Sequence, residues 1–443
     1  MAKQKQWQCI FCGKIIENYD EPDIVVPKSP KLNGPNGRTL GICRKCLNTA
    51  YDFTNNMSVE SDWASLDWLE DGFSDEISIK TPEEIKKILD DYIIGQDRAK
   101  KELAIALYNH LKIREYNKKK KDEDIDIDKS NILLVGPTGS GKTYLLKTLS
   151  RILNVPFAEG NGAEYTAAGY SGEDLVSVLS KLVDNADGDI QKAEYGIVYI
   201  DEFDKLGKGG KHATQNREIS CEAVQQELLK MIEGTVVNVP KSGSRRKLDD
   251  TNYKLNTKNI LFILGGCFDG ITDIIKARTT KNTKKAIGFV ANMSIEGNVE
   301  KCYNDYIDEI KTEDLLEYGI LNEVIGRLPI IVPLHELDIE ALESILVKPK
   351  NAIIKQYQQI FKLDNVTLKF QPKAIKAIAQ KAHERKIGAR GLRSIVEECL
   401  KDIRFTIPSD KNICEVVVTE QSVLNNEKPL IKEQTKNIRK VVN

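Results

Sequence analysis

Three short apolar runs punctuate the middle of the chain: Ile132–Val135, Ile197–Ile200 and Ile260–Leu264. No polar residue other than the tyrosine at 199 interrupts them, and continuous runs of this length predict strands buried on both faces of a parallel sheet. Helical patterns lie around them. Asp97 to Tyr116 carries Leu103, Leu107 and Leu111 at four-residue spacing, and Val224–Ile232 stops at Gly234. Thr81-Pro82-Glu83-Glu84 predicts a helix start, with a capping Thr, a Pro at the first turn and acids facing the positive end of the helix dipole. Alternating strands and helices predict an α/β domain, a parallel sheet with flanking helices, that binds ligands at the carboxyl ends of its strands.

From Leu334 the strand signal weakens. Pro372 opens a helix through Ile375, Ile378, Ala379 and Ala382 that ends near Gly388. A second helix places Leu392, Ile395, Val396, Cys399 and Leu400 on one face and stops before Pro408, which predicts a small, mainly helical C-terminal domain. The charged run Lys118–Lys129 reads as a solvated loop, and the polar tail after Asn425 as a frayed end. Residues 51–80 are acidic and carry Trp63, Trp68 and Phe73 without a period, as a tether would. The expected divisions are residues 1–50, a linker at 51–80, a large domain at 81–333, a small domain at 334–422 and a tail at 423–443.

The 443 residues allow several domains, and 65 basic side chains against 66 acidic ones leave a net charge of −1. That balance argues against a protein that binds nucleic acid through bulk positive charge. No run reaches the ~18–20 apolar residues of a membrane span, and residues 1–30 lack the apolar core of a signal peptide. Nine cysteines, an odd number without an export signal, point to a reducing, cytoplasmic setting. Four are patterned: Cys9 with Cys12, and Cys43 with Cys46. Two such pairs have the geometry of a closed tetrahedral Cys₄ zinc site, with iron–sulfur ligation and unmetallated thiols as the alternatives. The spacer between the pairs holds Pro22, Pro27, Pro30 and Pro35 and reads as an extended loop.

Gly136-Pro137-Thr138-Gly139-Ser140-Gly141-Lys142-Thr143 matches the phosphate-binding loop and sits between an expected strand and an expected helix, the context the motif requires. Its glycines let successive N–H groups point at one anion, and the helix that follows adds its positive end. Lys142 is placed to reach the β- and γ-phosphates of ATP, Thr143 to ligate Mg²⁺, and Tyr144 follows directly. The second strand ends in Asp201-Glu202. Beside a phosphate loop, Asp201 serves to hold Mg²⁺ and Glu202 to polarise the attacking water, which separates hydrolysis from nucleotide storage. No Ser–His–Asp or Cys–His constellation is legible among only four histidines, so no proteolysis by this chain alone is expected.

These motifs, together with Tyr92-Ile93-Ile94-Gly95-Gln96, Val224-Gln225-Gln226 through Glu233-Gly234-Thr235, Ile325-Gly326-Arg327-Leu328-Pro329 and Gly388-Ala389-Arg390-Gly391-Leu392-Arg393, resemble the ClpX family of AAA+ unfoldases over roughly residues 5–420. The resemblance implies an AAA+ P-loop ATPase that unfolds tagged or unfolded protein substrates and threads them into the ClpP peptidase. It puts Ile93 and Ile94 against the adenine, makes Arg390 the sensor linking the small domain to the phosphates, and makes Arg327 an arginine finger offered to a neighbouring subunit. An arginine acting in trans implies head-to-tail contacts that close into a ring, and the family forms a homohexamer. The resemblance also makes Tyr170, in Gly169-Tyr170-Ser171-Gly172, the pore residue that grips substrate, with Ser171 where the family usually has Val. Lys208–Ser220 reads as a second pore loop, and Ser244-Arg245-Arg246-Lys247 as a third that lacks the family's His. Ile287-Gly288-Phe289 matches the ClpP-docking tripeptide, and the cysteine module matches the part that receives adaptors. Two rivals stand beside this reading: a remodeller that works without a peptidase, and a zinc-bearing, nucleic-acid-binding ATPase switch.

Overall fold

The computed structural model describes residues 79–120, 125–165, 174–207, 215–240, 252–286 and 302–433, with four short strands between residues 7 and 43. The chain divides into two units, Met1–Ile77 and Ser78–Asn443. The first contains β1 (Trp7–Cys9), β2 (Ile15–Ile16), β3 (Ile24–Val25) and β4 (Thr39–Cys43) in the order β2-β1-β4-β3. β1 and β4 run parallel with Cys9 paired to Gly41, so Cys9 and Cys43 lie on adjacent strands. Cys12 and Cys46 fall outside the described residues.

The second unit is built on a five-stranded parallel sheet: β5 (Ile132–Val135), β6 (Phe157–Asn161), β7 (Ile197–Asp201), β10 (Leu261–Gly266) and β11 (Ile330–Pro333), in the order β11-β5-β10-β7-β6. An antiparallel pair, β8 (Val236–Val239) and β9 (Tyr253–Asn256), lies beside it in sequence. The apolar runs became strands because both sheet faces are covered. Ile132, Leu134, Ile197, Tyr199, Leu261 and Ile263 join one buried cluster, with Leu89, Leu103 and Leu149. The intervening residues Leu133, Val135, Val198, Ile200, Phe262 and Leu264 join the other, with Val178, Leu182, Val224 and Leu228. This is the period-two alternation of a pleated strand, with apolar residues on both sides.

The helix start at Thr81 is a full capping box over Pro82–Asp90: Thr81 Oγ1 accepts from Glu84 N, and Thr81 N donates to Glu84 Oε2 at 2.8 Å. The next helix, Asp97–Lys119, runs past Tyr116 into the charged segment expected to be loop, because Lys118 and Lys119 are good helix formers once a helix is nucleated. Val224–Ile232 proves to be the second half of a 19-residue helix, Gln215–Glu233. The expected second pore loop therefore ends before Gln215, and Gln215–Ser220 are helical.

The C-terminal part gathers helices Ile339–Val347, Ile353–Leu363, Pro372–Glu384 and Ala389–Thr406 around a core that includes Leu342, Phe361, Ile378, Leu392 and Val416. It also holds a three-stranded sheet, β12 (Thr367–Phe370), β13 (Ile413–Val418) and β14 (Leu430–Glu433), in that order. The expectation of a tail free from residue 423 is corrected by β14, which pairs antiparallel with β13. Backbone hydrogen bonds to a buried strand hold it where its side chains give no signal.

Candidate active site

The phosphate loop leaves the carboxyl end of β5 at the point where the strand order reverses between β11 and β10, the usual ligand crevice of such sheets. Gly136 N donates to Gly266 O at 3.2 Å, which fastens the start of the loop to β10. Gly139 has φ +81°, and a Cβ there would lie 2.5 Å from Ile387 O and 2.9 Å from Gly388 Cα. Ala389 N donates to Gly139 O at 3.3 Å. Only glycine fits: the backbone conformation and the close approach of the small domain both exclude a side chain.

Lys142 is 7% exposed, and its ammonium donates to Gly136 O at 2.6 Å and Pro137 O at 3.2 Å. Ser140 Oγ is buried without a hydrogen-bond partner. An ammonium held mainly by carbonyls of its own loop and a buried hydroxyl left unpaired are groups that a phosphate would satisfy. Thr143 Oγ1 donates to Asp201 Oδ2 at 3.0 Å, so a hydroxyl and a carboxylate, the hard oxygen donors that suit Mg²⁺, already face each other. Tyr199 lies buried nearby, and burial raises its phenol pKa, so it stays neutral. Asp201 Oδ1 accepts from Glu202 N at 2.9 Å. Glu202 itself is exposed, at φ +55°, a backbone region costly for any residue other than glycine and one that recurs at functional sites.

A cleft of about 510 Å³ continues from the loop and is lined by Ile93, Ile94, Tyr144, Ile345, Ile353 and Arg390 among others. Its apolar side suits a base, and its loop side suits phosphates. The expected adenine residues, phosphate loop and Arg390 therefore meet in one place. Tyr144 Oη donates to Asn351 Oδ1 at 3.0 Å, a further tie to the small domain. Arg327 does not line this cleft. It is 58% exposed and donates twice to Glu233 Oε1, from Nη2 at 2.8 Å and Nε at 3.1 Å.

Two residues to which the sequence reading gave no role hold the cleft in shape. Lys100, 2% exposed, donates to Asp90 Oδ1 at 2.6 Å and to Ile93 O at 2.7 Å, which fixes the segment that carries Ile93 and Ile94. Gln96 donates to His335 O at 2.8 Å and accepts from His335 N at 3.0 Å, and so joins that segment to the start of the small domain. A lysine in a helix's first turn and a glutamine at its N-cap carry no chemical signature of their own, so only their surroundings mark them. Tyr170, Ser244–Lys247 and Ile287, Gly288 and Phe289 lie outside the described residues. Among the described residues no group of three or more metal-ligating side chains is found, and no helix is long and apolar enough to cross a membrane.

Residues 127–331 match the family described as AAA domain (Cdc48 subfamily), and residues 337–415 match the C-terminal, D2-small domain, of ClpB protein. The ATP-dependent Clp protease ATP-binding subunit ClpX of Treponema denticola is 42% identical over 437 residues, 98% of both chains. The proteins of the same description from Borrelia duttonii and Borrelia recurrentis are each 43% identical over 435 residues, which cover 97% of this chain and 95% of theirs. Identity at this level along nearly the whole length, with a complete phosphate loop and a strand-end acid pair, leads to one conclusion: the chain belongs to the ClpX family and is an AAA+ ATP hydrolase.

Proposed function

We propose that the chain unfolds protein substrates with the energy of ATP hydrolysis and threads them into a ClpP peptidase, as a homohexameric ring in the cytoplasm. The observation that carries the motor reading is the junction at Gly139. The small domain's Gly388–Ala389 backbone rests directly on the phosphate loop, so a change in the nucleotide is felt by both domains at once. In this reading Lys142 and the N–H groups of the loop through Thr143 hold the phosphates, while Arg390 reaches them from the small domain. Thr143 and Asp201 hold Mg²⁺, which supplies charge neutralisation between the phosphates when bound. Glu202 orients the attacking water and takes its proton. Lys142, the loop amides and a neighbour's Arg327 then face the charge that builds on the transferred phosphoryl group. Ile93 and Ile94 receive the adenine.

Tyr170 grips the polypeptide, and Ile287, Gly288 and Phe289 dock on ClpP. The test is ATP-dependent loss of fluorescence from a tagged, stably folded reporter, with and without ClpP. Tyr170→Ala is expected to keep ATP hydrolysis and lose unfolding, while removal of residues 287–289 keeps unfolding and loses degradation. Degradation that persists after that removal would overturn the docking assignment. ATP turnover without reporter unfolding would favour a peptidase-independent remodeller.

Cys9, Cys12, Cys43 and Cys46 bind one structural zinc ion. The pairing of β1 with β4 supports this reading, since it sets the first cysteine of each Cys-x-x-Cys pair, Cys9 and Cys43, on neighbouring strands. Elemental analysis of the purified chain is expected to give about one zinc per subunit, as a single closed Cys₄ set requires. A value near zero in protein purified without chelators would remove zinc from the proposal. The module is the natural landing surface for adaptors.

A further inference from the structure

Gln225 is 0% exposed, in the middle of the helix Gln215–Glu233. Burying an amide is unfavourable unless both its ends are hydrogen-bonded, and both are, to backbone atoms of two different elements. Nε2 donates to Leu206 O at 2.6 Å. Oε1 accepts from Leu321 N at 3.0 Å.

These two partners belong to the two halves of the hydrolytic machinery. Leu206 ends the 3₁₀ turn Phe203–Leu206, which begins directly after Glu202. That turn is fixed elsewhere too: Phe203 is 0% and Leu206 2% exposed, and Asp204 Oδ1 accepts from Cys267 N at 3.2 Å. Leu321 is the N-cap residue of the short helix Asn322–Gly326, and the C-cap residue of that helix is Arg327. The long helix meets the same two elements again on either side of Gln225. One turn earlier, Cys221 Sγ lies 3.8 Å from Lys205 O. Two turns later, Glu233 accepts both hydrogen bonds from the Arg327 guanidinium. The contacts from residue 221 to residue 233 span about 18 Å of helix at 1.5 Å per residue.

We propose that Gln225 is a positioning residue that ties the turn carrying a subunit's own Glu202 to the helix carrying the Arg327 it offers its neighbour. A displacement of the acid turn, as nucleotide binds or is hydrolysed, then moves the arginine through one side chain and one helix. An apolar residue of the same size would fill the space, but it would leave Leu206 O and Leu321 N without these partners and the two elements unlinked. The proposal rests on the roles given above to Glu202 and Arg327, and the test separates the two.

Full-length Glu202→Gln and Arg327→Ala chains are each expected to be inactive as pure rings. When they are mixed, hydrolysis returns at sites where an intact Glu202 meets a neighbour's intact Arg327. No return of activity would overturn the trans reading, and the proposal with it. Gln225→Met is then added to one partner at a time. Placed in the chain that supplies the arginine, it is expected to cut the regained hydrolysis roughly tenfold, the scale set by small misplacements of a reacting group. Placed in the chain that supplies the acid, it is expected to do the same, with affinity for a fluorescent ATP analogue kept within about twofold in both cases. A loss confined to the acid-supplying chain, or no loss in either, would overturn the link. So would a matching loss of nucleotide affinity, which would reveal a merely structural residue. Should Gln225→Met fail to fold, Gln225→Glu keeps an oxygen for Leu321 N but, as a carboxylate, offers no donor to Leu206 O. It is expected to impair the acid-supplying chain more than the arginine-supplying one, and the reverse order would overturn the proposal.

Discussion

Replacing Glu202 with Gln is expected to lower ATP hydrolysis by about 10³-fold while ATP stays bound. The magnitude is that of removing a positioned general base, about 10²–10⁴-fold. The substitution keeps the size of the side chain and removes only its capacity to take a proton. It leaves the neighbouring geometry alone, because Asp201 contacts Glu202 through the backbone N–H and Thr143 through its other carboxylate oxygen. The +55° φ at position 202 is no harder for Gln than for Glu, so folding is expected to be unaffected. Steady-state phosphate release and binding of a fluorescent ATP analogue separate the two effects. Turnover within threefold of the parent chain would remove Glu202 as the group that activates water, and loss of nucleotide binding would place its role in the ground state.

The central strands were legible because burial on both faces leaves a run such as Ile132–Val135 with no polar position. The edge strands were not. In β6 the pattern half-buried, buried, half-buried admits Glu159 and Asn161, and β11 pairs on one side only before it reaches Pro333. At the extreme, β14 is exposed at all four positions. The candidate site divides along a similar line. Phosphate-loop residues and the Asp201-Glu202 pair are contiguous in sequence, and their chemistry demands particular residue types, so a motif finds them. Gln96 with His335, Lys100 with Ile93, and Gln225 with Leu206 and Leu321 act through backbone atoms, which every residue carries. A sequence shows one partner of such a bond and nothing of the other. Arg327 was legible as a residue but not as a geometry: within one subunit it faces Glu233 and not the nucleotide cleft.

Replacing Arg327 with Ala is expected to lower hydrolysis by about 10³–10⁵-fold, the range found when an arginine finger is removed, with ATP affinity and protomer stability nearly unchanged. Stability should hold because the ion pair lost is exposed on both sides, at 58% for Arg327 and 42% for Glu233, and such pairs contribute about 0–1 kcal/mol. Its weakness suits the proposed role, in which the guanidinium would leave Glu233 to meet a phosphate on the next subunit and a strong pair would hold it back. Affinity should hold because Arg327 is not among the residues lining the cleft of its own chain. Arg327→Lys is expected to recover little, because an ammonium cannot reproduce the planar, two-pronged donor geometry of guanidinium. Thermal melting, nucleotide binding and phosphate release on the same preparations test all three statements. A large fall in melting temperature would make Arg327 a fold residue. Normal turnover by Arg327→Ala would mean that the charge forming in the transition state is met within one subunit, and Arg390, already on the cleft, would be the residue to examine for that role.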